Sequence, residues 1–320
     1  LELENLIDRF NGVAEGVASA EVGKAQRIDD AVGRYTVFLK SCFPRELTLE
    51  GMRIGVDCAN GAAYVVAPQT FAELGAEVVV RGASPNGRNI NAGFGSLYPE
   101  VMSELILEQN LDIGVSLDGD ADRAILVDEK GRVLDGDAVL AICALDLKQR
   151  GMLPGDAVVS TVMSNLGLSR FLSENKIALH RTAVGDRYVL EEMLERNVIL
   201  GGEQSGHTIF SQYSTAGDGI LTALMVLSIM GRSGKRLSEL VGGFQKYPQS
   251  LVNVEVATKP DLESIDPIRV VIESKERELG HAGRILVRYS GTENKARVMV
   301  ECEDEVTCNQ HAREVAEVIE

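Results

Sequence analysis

The sequence has no apolar run long enough to cross a bilayer. Its most apolar helical stretch, residues 220–230, falls far short of the roughly 18 to 20 residues that a spanning helix needs. No secretory signal is visible, so a cytoplasmic protein is expected. Basic residues are in deficit, with 32 Lys and Arg against 48 Asp and Glu and a net charge of -16. That balance argues against DNA, RNA or an anionic membrane as partner, although local basic residues still leave room for small anions. Cysteine is sparse and unpatterned: Cys42, Cys58, Cys143, Cys302 and Cys308 are odd in number and lack metal-type spacing. They read as reduced thiols.

What is present is length and rhythm. The 320 residues suffice for two or three domains, each with its own core. The opening stretch has no strand, and VGKAQRIDDAVGRYTVFLKSCF, residues 22–43, reads as one amphipathic helix. From Met52 onward, short β-branched runs alternate with helix-length segments: RIGVDC, AAYVVAPQTFAELG, AEVVV, SELILEQN, LDIGVSL. This is the pattern of βαβ units. It restarts with helices expected at 137–149, 166–175 and 188–196, between the strands DAVVSTV, IALHRTAV and VILGG, so a second α/β domain of similar size and a duplication are both suggested. Helices at 217–231 and 237–244 close that unit, and KYPQS marks a hinge. Beyond it LVNVEVA, a helix at 267–279, GRILVRYS, KARVMVEC and a last helix from Glu305 outline a small α+β domain. The fold class expected is α/β, with successive domains bearing mixed sheets and a C-terminal α+β domain. The bounds drawn are 1–28 for a remnant and linker, then 29–133, 134–246 and 250–320.

Residues 118–123 read DGDADR between two apolar runs. Alternate spacing can turn Asp118, Asp120 and Asp122 toward one centre, and clustered carboxylates raise one another's pKa unless a cation joins them. Hard oxygen ligands favour Mg²⁺ or Ca²⁺ over Zn²⁺. An EF-hand is disfavoured because Arg123 replaces the turn glycine and the flanks look like strands. A dehalogenase-type phosphatase loop, with Asp118 as nucleophile and Asp120 as acid/base, would carry Thr or Val where Asp122 stands. A solvated acidic turn is the bland alternative.

Two later motifs argue against blandness. GGEQSGH, residues 201–207, follows an expected strand; its glycines admit a close ligand, and Glu203 and Ser205 suit vicinal hydroxyls or an amine. His207 is an acid/base candidate by its pKa range, though such a histidine is more often structural. RYSGTENKAR, residues 288–297, offers Arg288 and Arg297 as guanidinium donors, Ser290 and Thr292 as hydroxyls and Gly291 as a source of free backbone N–H, together a phosphate cradle. In VGDRY, Asp186 is read as an N-cap and Arg187 as a group near an anion at the helix N-terminus.

DGDADR, GGEQSGH and RYSGTE occur in this order in successive domains, and with them the chain resembles the α-D-phosphohexomutases from about residue 22 to its end. AEVGKAQRIDDAVGRY, VDCANGAA, AVGDRYV and KYPQSLVNV look most like the branch that interconverts glucosamine 6-phosphate and glucosamine 1-phosphate. Phosphomannomutase/phosphoglucomutase chemistry and a non-catalytic sugar-phosphate binding fragment are the alternatives. The resemblance implies that Asp118, Asp120 and Asp122 bind a Mg²⁺ that also touches a phosphoserine, and that Arg123 lies beside the transferring phosphoryl group. It further implies that Glu203, Ser205 and Gly206, with Asp186 and Arg187, meet the sugar, while Arg288, Ser290, Gly291, Thr292 and Arg297 grip the other phosphate. A hexosamine phosphate is the implied partner, with no nucleic acid or membrane and a homodimer left open. Two departures stand out. The family's phosphoserine loop does not occur in these residues, so the chain is expected to be a fragment inactive by itself, and Asn294 stands after Glu293 where proline is usual.

Overall fold

The computed structural model describes residues 28–290 and 293–319. Helix α1 (Ala31–Cys42) opens them. Its first helical residue follows a turn at Asp29 and Asp30, and the start expected at residue 22 lies outside the described residues.

The first α/β unit then contributes β1 (Arg53–Asp57), α2 (Val66–Glu73), β2 (Glu77–Arg81), α3 (Pro99–Gln109), β3 (Ile113–Leu117), β4 (Ala124–Asp128) and β5 (Val133–Leu134). Its sheet runs β2-β1-β3-β4-β5. Strand β1 is parallel to β2 and β3, whereas β3, β4 and β5 pair antiparallel. β3 and β4 are buried along their whole length, which explains their largely apolar spelling.

The second unit has α4 (Gly136–Gln149), β6 (Ala157–Thr161), α5 (Leu166–Glu174), β7 (Ala178–Thr182), α6 (Asp186–Arg196), β8 (Leu200–Gly202), β9 (Thr208–Phe210), α7 (Gly219–Ser233) and α8 (Leu237–Leu240). Its sheet runs β7-β6-β8-β9, parallel except for the last antiparallel pair. This is the order and sense of β2-β1-β3-β4, so the repeated rhythm of the sequence is a repeated topology. Two local expectations are corrected. Helix α8 stops at Leu240 instead of reaching Phe244, with Gly242 and Gly243 following. Asp186 is the first helical residue rather than the cap; Gly185, at φ 136°, makes the entry instead.

The last unit is β10 (Gln249–Glu255), α9 (Asp266–Leu279), β11 (Gly283–Tyr289), β12 (Lys295–Cys302) and α10 (Glu305–Ile319), with an antiparallel sheet ordered β10-β12-β11. The reading of five reduced thiols is corrected here. Cys302 and Cys308 form a disulfide, their Cα atoms 5.7 Å apart, because the turn after β12 folds α10 back onto the strand end. Cys42, Cys58 and Cys143 are free and buried.

One continuous core joins the first two units, from Leu39 of α1 through Leu117 and Leu126 to Leu224 and Leu237. A separate core of Val254, Ile285, Val298, Val300, Val315 and their neighbours fills the C-terminal unit. Fully burying each such side chain contributes about 1.5–3 kcal/mol. Among the described residues, no helix is long and apolar enough to cross a membrane.

Candidate functional site

The acidic loop bridges β3 and β4, and the sugar-type loop bridges β8 and β9, so the two motifs occupy equivalent hairpins of the two sheets. The hairpins are joined to each other. Arg123 and His207 form an isolated antiparallel bridge, and Ala124 N donates to Gly206 O at 3.2 Å. Gly136 N donates to Gln204 O at 3.1 Å, which brings the start of α4 against the same loop. Gly206, at φ 96°, is required on two counts: a β-carbon there would lie 2.5 Å from Ala124 O.

Within the acidic loop, Asp118 is buried, Asp122 half-buried and Asp120 exposed, and one carboxylate oxygen from each lies within 4.8 Å of the other two. Asp118 accepts the Arg123 backbone N–H at 3.1 Å. The Arg123 Nε lies 3.6 Å from Asp122 Oδ1 and 3.8 Å from Asp118 Oδ2. Burial, followed by the contacts with Asp122 and Asp120, pushes the Asp118 carboxyl up to about 7. A cation sharing the loop would favour the ionised form of Asp118. The donor set fits a hard divalent ion, since it is all oxygen, and Asp122 Oδ1 is buried with no hydrogen-bond partner.

Several supports of this loop have no visible signal in the sequence. Asp57, buried at the end of β1, accepts the N–H groups of Ala59 and Gly95. It thereby shapes the CANG turn, from which Ala62 N donates to Gly119 O. On the other side, Gly219 N donates to Ala121 O at 2.9 Å. Asp218 caps α7 through Leu221 N and accepts the Tyr35 hydroxyl of α1. His207 is held at both nitrogens: Nδ1 lies 3.0 Å from Asp122 Oδ2, and Nε2 accepts Gly217 N–H at 3.2 Å. The accepting role of Nε2 places the proton on Nδ1.

A cavity of about 350 Å³ opens beside these loops, lined by Arg123, Thr161, Met163, Val184, Glu203, Gln204 and Ser205. Glu203 Oε1 accepts Gly185 N–H, which fixes the entry of α6 on the sugar-type loop. Asp186 and Arg187 follow on the exposed first turn of α6, where Arg187 pairs with Glu191 at 3.0 Å. They sit next to the cavity's Val184 but are not among its lining residues.

The third motif lies on the C-terminal sheet. Arg288 of β11 faces Arg297 of β12 in direct register. Like charges placed opposite each other are unfavourable by themselves, so the pair is suited to an anion. Burial, and then Arg297, loosen the hold of Arg288 on its proton. Ser290 is buried; its Oγ accepts Glu293 N–H at 3.2 Å and lies 3.5 Å from an Arg297 nitrogen. Arg297 Nε is buried without a partner. Gly291 and Thr292 lie outside the described residues.

Comparison with known proteins identifies the domains that carry these loops. The chain matches the phosphoglucomutase/phosphomannomutase family at three domains: α/β/α domain II over residues 34–131, α/β/α domain III over 135–247 and the C-terminal domain over 251–318. A phosphoglucosamine mutase of Nitratidesulfovibrio vulgaris is 54% identical over 303 residues, which is 95% of this chain and 67% of the relative. One of Geobacter metallireducens is 55% identical over 302 residues, 94% of this chain and 67% of the relative. The chain thus spans about two thirds of their length. Among solved structures, Aspergillus fumigatus N-acetylphosphoglucosamine mutase, in complex with GlcNAc-6P and magnesium, aligns with a TM-score of 0.71 at 23% identity, over 90% of this chain and 69% of that one. A Burkholderia thailandensis phosphoglucomutase/phosphomannomutase family protein aligns with a TM-score of 0.72 at 21% identity, over 90% of this chain and 64% of that one. At such identities the structural likeness speaks for the fold. With three family domains matched in order and relatives more than half identical along nearly its whole length, the chain belongs to the phosphoglucomutase/phosphomannomutase family.

Proposed function

We propose that this chain supplies the metal, sugar and phosphate-clamp parts of a phosphoglucosamine mutase of the cytoplasm, which interconverts glucosamine 6-phosphate and glucosamine 1-phosphate through a 1,6-bisphosphate. The observation that carries the reading is the joining of two hairpins, which brings Arg123, the neighbour of the acidic triad, into the lining of the cavity that Glu203 and Ser205 share. In this reading the domains are those drawn at 29–133, 134–246 and 250–320. Asp118, Asp120 and Asp122 would hold Mg²⁺, which when bound neutralises charge on the phosphoryl group being transferred. Arg123 binds that group from the cavity wall. Glu203 accepts from sugar hydroxyls or the 2-amino group, Ser205 adds a hydroxyl, and the backbone at Gly206 admits the ring edge. The first turn of α6, with Asp186 and Arg187, borders the same ligand. Arg288, Ser290 and Arg297, with Gly291 and Thr292, take the phosphate that is not transferred. His207 holds Asp122 by its Nδ1–H in the manner of a group that orients a metal ligand.

The reading includes that these 320 residues do not turn over by themselves. Phosphoryl transfer requires donor and acceptor in line, and in this reading Ser205 and Ser290 serve as sugar and phosphate ligands rather than as the donor. The test is coupled detection of glucosamine 1-phosphate formed by the pure chain, alongside calorimetric titration with Mg²⁺ and with glucosamine, mannose and glucose 6-phosphates. Mg²⁺ binding weakened by Asp120→Asn, a preference for the amino sugar and no turnover are expected. Equal Mg²⁺ affinity for wild type and Asp120→Asn would refute the metal assignment, and turnover abolished by one Ser or Asp substitution would refute the inactivity.

A further inference from the structure

Glu301 of β12 is completely buried, yet it stands directly opposite Arg284 of β11 and pairs with it at 2.8 Å. Its carboxylate also reaches out of the C-terminal unit: Oε2 accepts Leu166 N–H at 3.0 Å, and Oε1 accepts the Asn165 amide at 3.1 Å. Arg284 does the same, donating to Val162 O at 3.1 Å and to Ser164 O at 2.8 Å. All four partners belong to the stretch that follows β6, and Met163 of that stretch, with Thr161 at the end of β6, lines the sugar cavity. Asn165 in turn binds both backbone groups of Tyr247, just before β10 begins.

Register gives this cluster its meaning. Residues 284 and 288 share a sheet face, as do their partners 301 and 297. One end of the face carries the Arg284–Glu301 pair and the other, about 13 Å along the strand, the Arg288–Arg297 pair. The strands that present the phosphate clamp are therefore fastened, near one end, to the loop that lines the sugar cavity.

We infer that Arg284 and Glu301 form a buried lock that sets the span between the phosphate clamp and the sugar cavity, which makes Arg284 a positioning residue for a ligand that must reach both. The inference rests on the sugar-phosphate reading given above. A ligand gripped at two places gains affinity only while the two grips stay at the right separation, since the second contact then forms at high effective concentration. Loosening the lock costs that gain and leaves each grip intact. Backbone carbonyls as acceptors make the lock specific to arginine, because no other side chain presents a fork of donors that can bind a carboxylate and two carbonyls together.

The experiment compares glucosamine 6-phosphate, which needs both grips, with inorganic phosphate, which needs one. Affinities are measured on the chain for wild type, Arg284→Met and the double variant Arg284→Met/Glu301→Leu, with NMR shifts around Ser290 reporting phosphate at the clamp. The double variant leaves no unpaired buried charge, so it keeps the fold where the single one is destabilised. Both variants are expected to lose about tenfold in affinity for glucosamine 6-phosphate, part of the gain that linked contacts provide, while phosphate binding stays at the wild-type level. Wild-type affinity for glucosamine 6-phosphate in the double variant overturns the inference, as does an equal loss for both compounds. Wild-type protein that binds neither compound overturns the sugar-phosphate reading, and the inference with it.

Discussion

His207 shows how far a residue can be read by its type and how far only by its neighbours. A histidine in GGEQSGH suggests proton transfer, but Asp122, which it meets, lies 85 positions earlier in the chain. With Nε2 accepting from Gly217 and Nδ1–H directed at Asp122, the ring has the tautomer of a group that orients a ligand. His207→Ala should therefore weaken Mg²⁺ binding about tenfold or more, the usual effect of losing an orienting partner. His207→Asn, whose amide can replace the Nδ1 donor, should recover part of it. Titration calorimetry with Mg²⁺ decides, and equal affinities for Ala, Asn and wild type would rule the role out. The three aspartates were legible because their alternation is local. Asp57, Asp218 and Tyr35 were not, since each acts through a contact between distant segments that no spacing rule anticipates.

Elements were legible where burial writes itself into composition. β3 and β4 are apolar but for Ser116 and Asp128 because they are covered on both faces, and α9 begins within one residue of its expected start. Element ends were harder, since Gly185 settles the start of α6 by backbone conformation. The first turn of α4 carries a different consequence. Asp137 there is wholly buried; its Oδ2 accepts Asn165 N–H and its Oδ1 has no partner. Burial, and next Asp135, push its carboxyl up to about 7. A carboxyl raised on folding stabilises the native state fully only below its unfolded value of about 4, and that contribution is lost as pH rises to the folded value. Asp137→Asn keeps an acceptor for Asn165 and removes the titration. Relative to wild type, the variant should gain stability progressively from pH 4 to pH 7 and level off above it. Urea unfolding midpoints at pH 5 and pH 8 measure this; a difference between variant and wild type that is the same at both would contradict it.

At the scale of the molecule the sharing of interiors matters more than the three sheets. The first and second units share one large apolar interior, beside a smaller cluster in each, whereas the C-terminal unit has its own and meets the rest through the polar groups around Asn165 and Glu301. Separate cores joined by a polar contact unfold as separate cooperative units. Chemical denaturation should thus show two transitions, with amides of β11 and β12 exchanging in the earlier one, and Arg284→Met should move only that transition to lower denaturant. A single coincident transition for both sets of amides would show the contact to be stronger than its chemistry suggests. The repeated sheet order was legible as repeated rhythm; the shared core was not, because sequence periodicity marks a buried face without naming what covers it.

The hydrogen bonds between the hairpin of Asp118–Asp122 and that of Glu203–His207 also bear on descent. A loop that owes its shape to another loop cannot be inherited without it. In chimeras made from two relatives by crossing over between residues 133 and 134, the strand of one parent would have to receive Gly206 O at Ala124 and bridge His207 at Arg123 from the other. Parents matched at these few backbone positions should yield working hybrids, and parents that differ there should not, however alike they are elsewhere. The natural unit of exchange is the joined pair of loops, and it ignores the boundary between the domains that carry them.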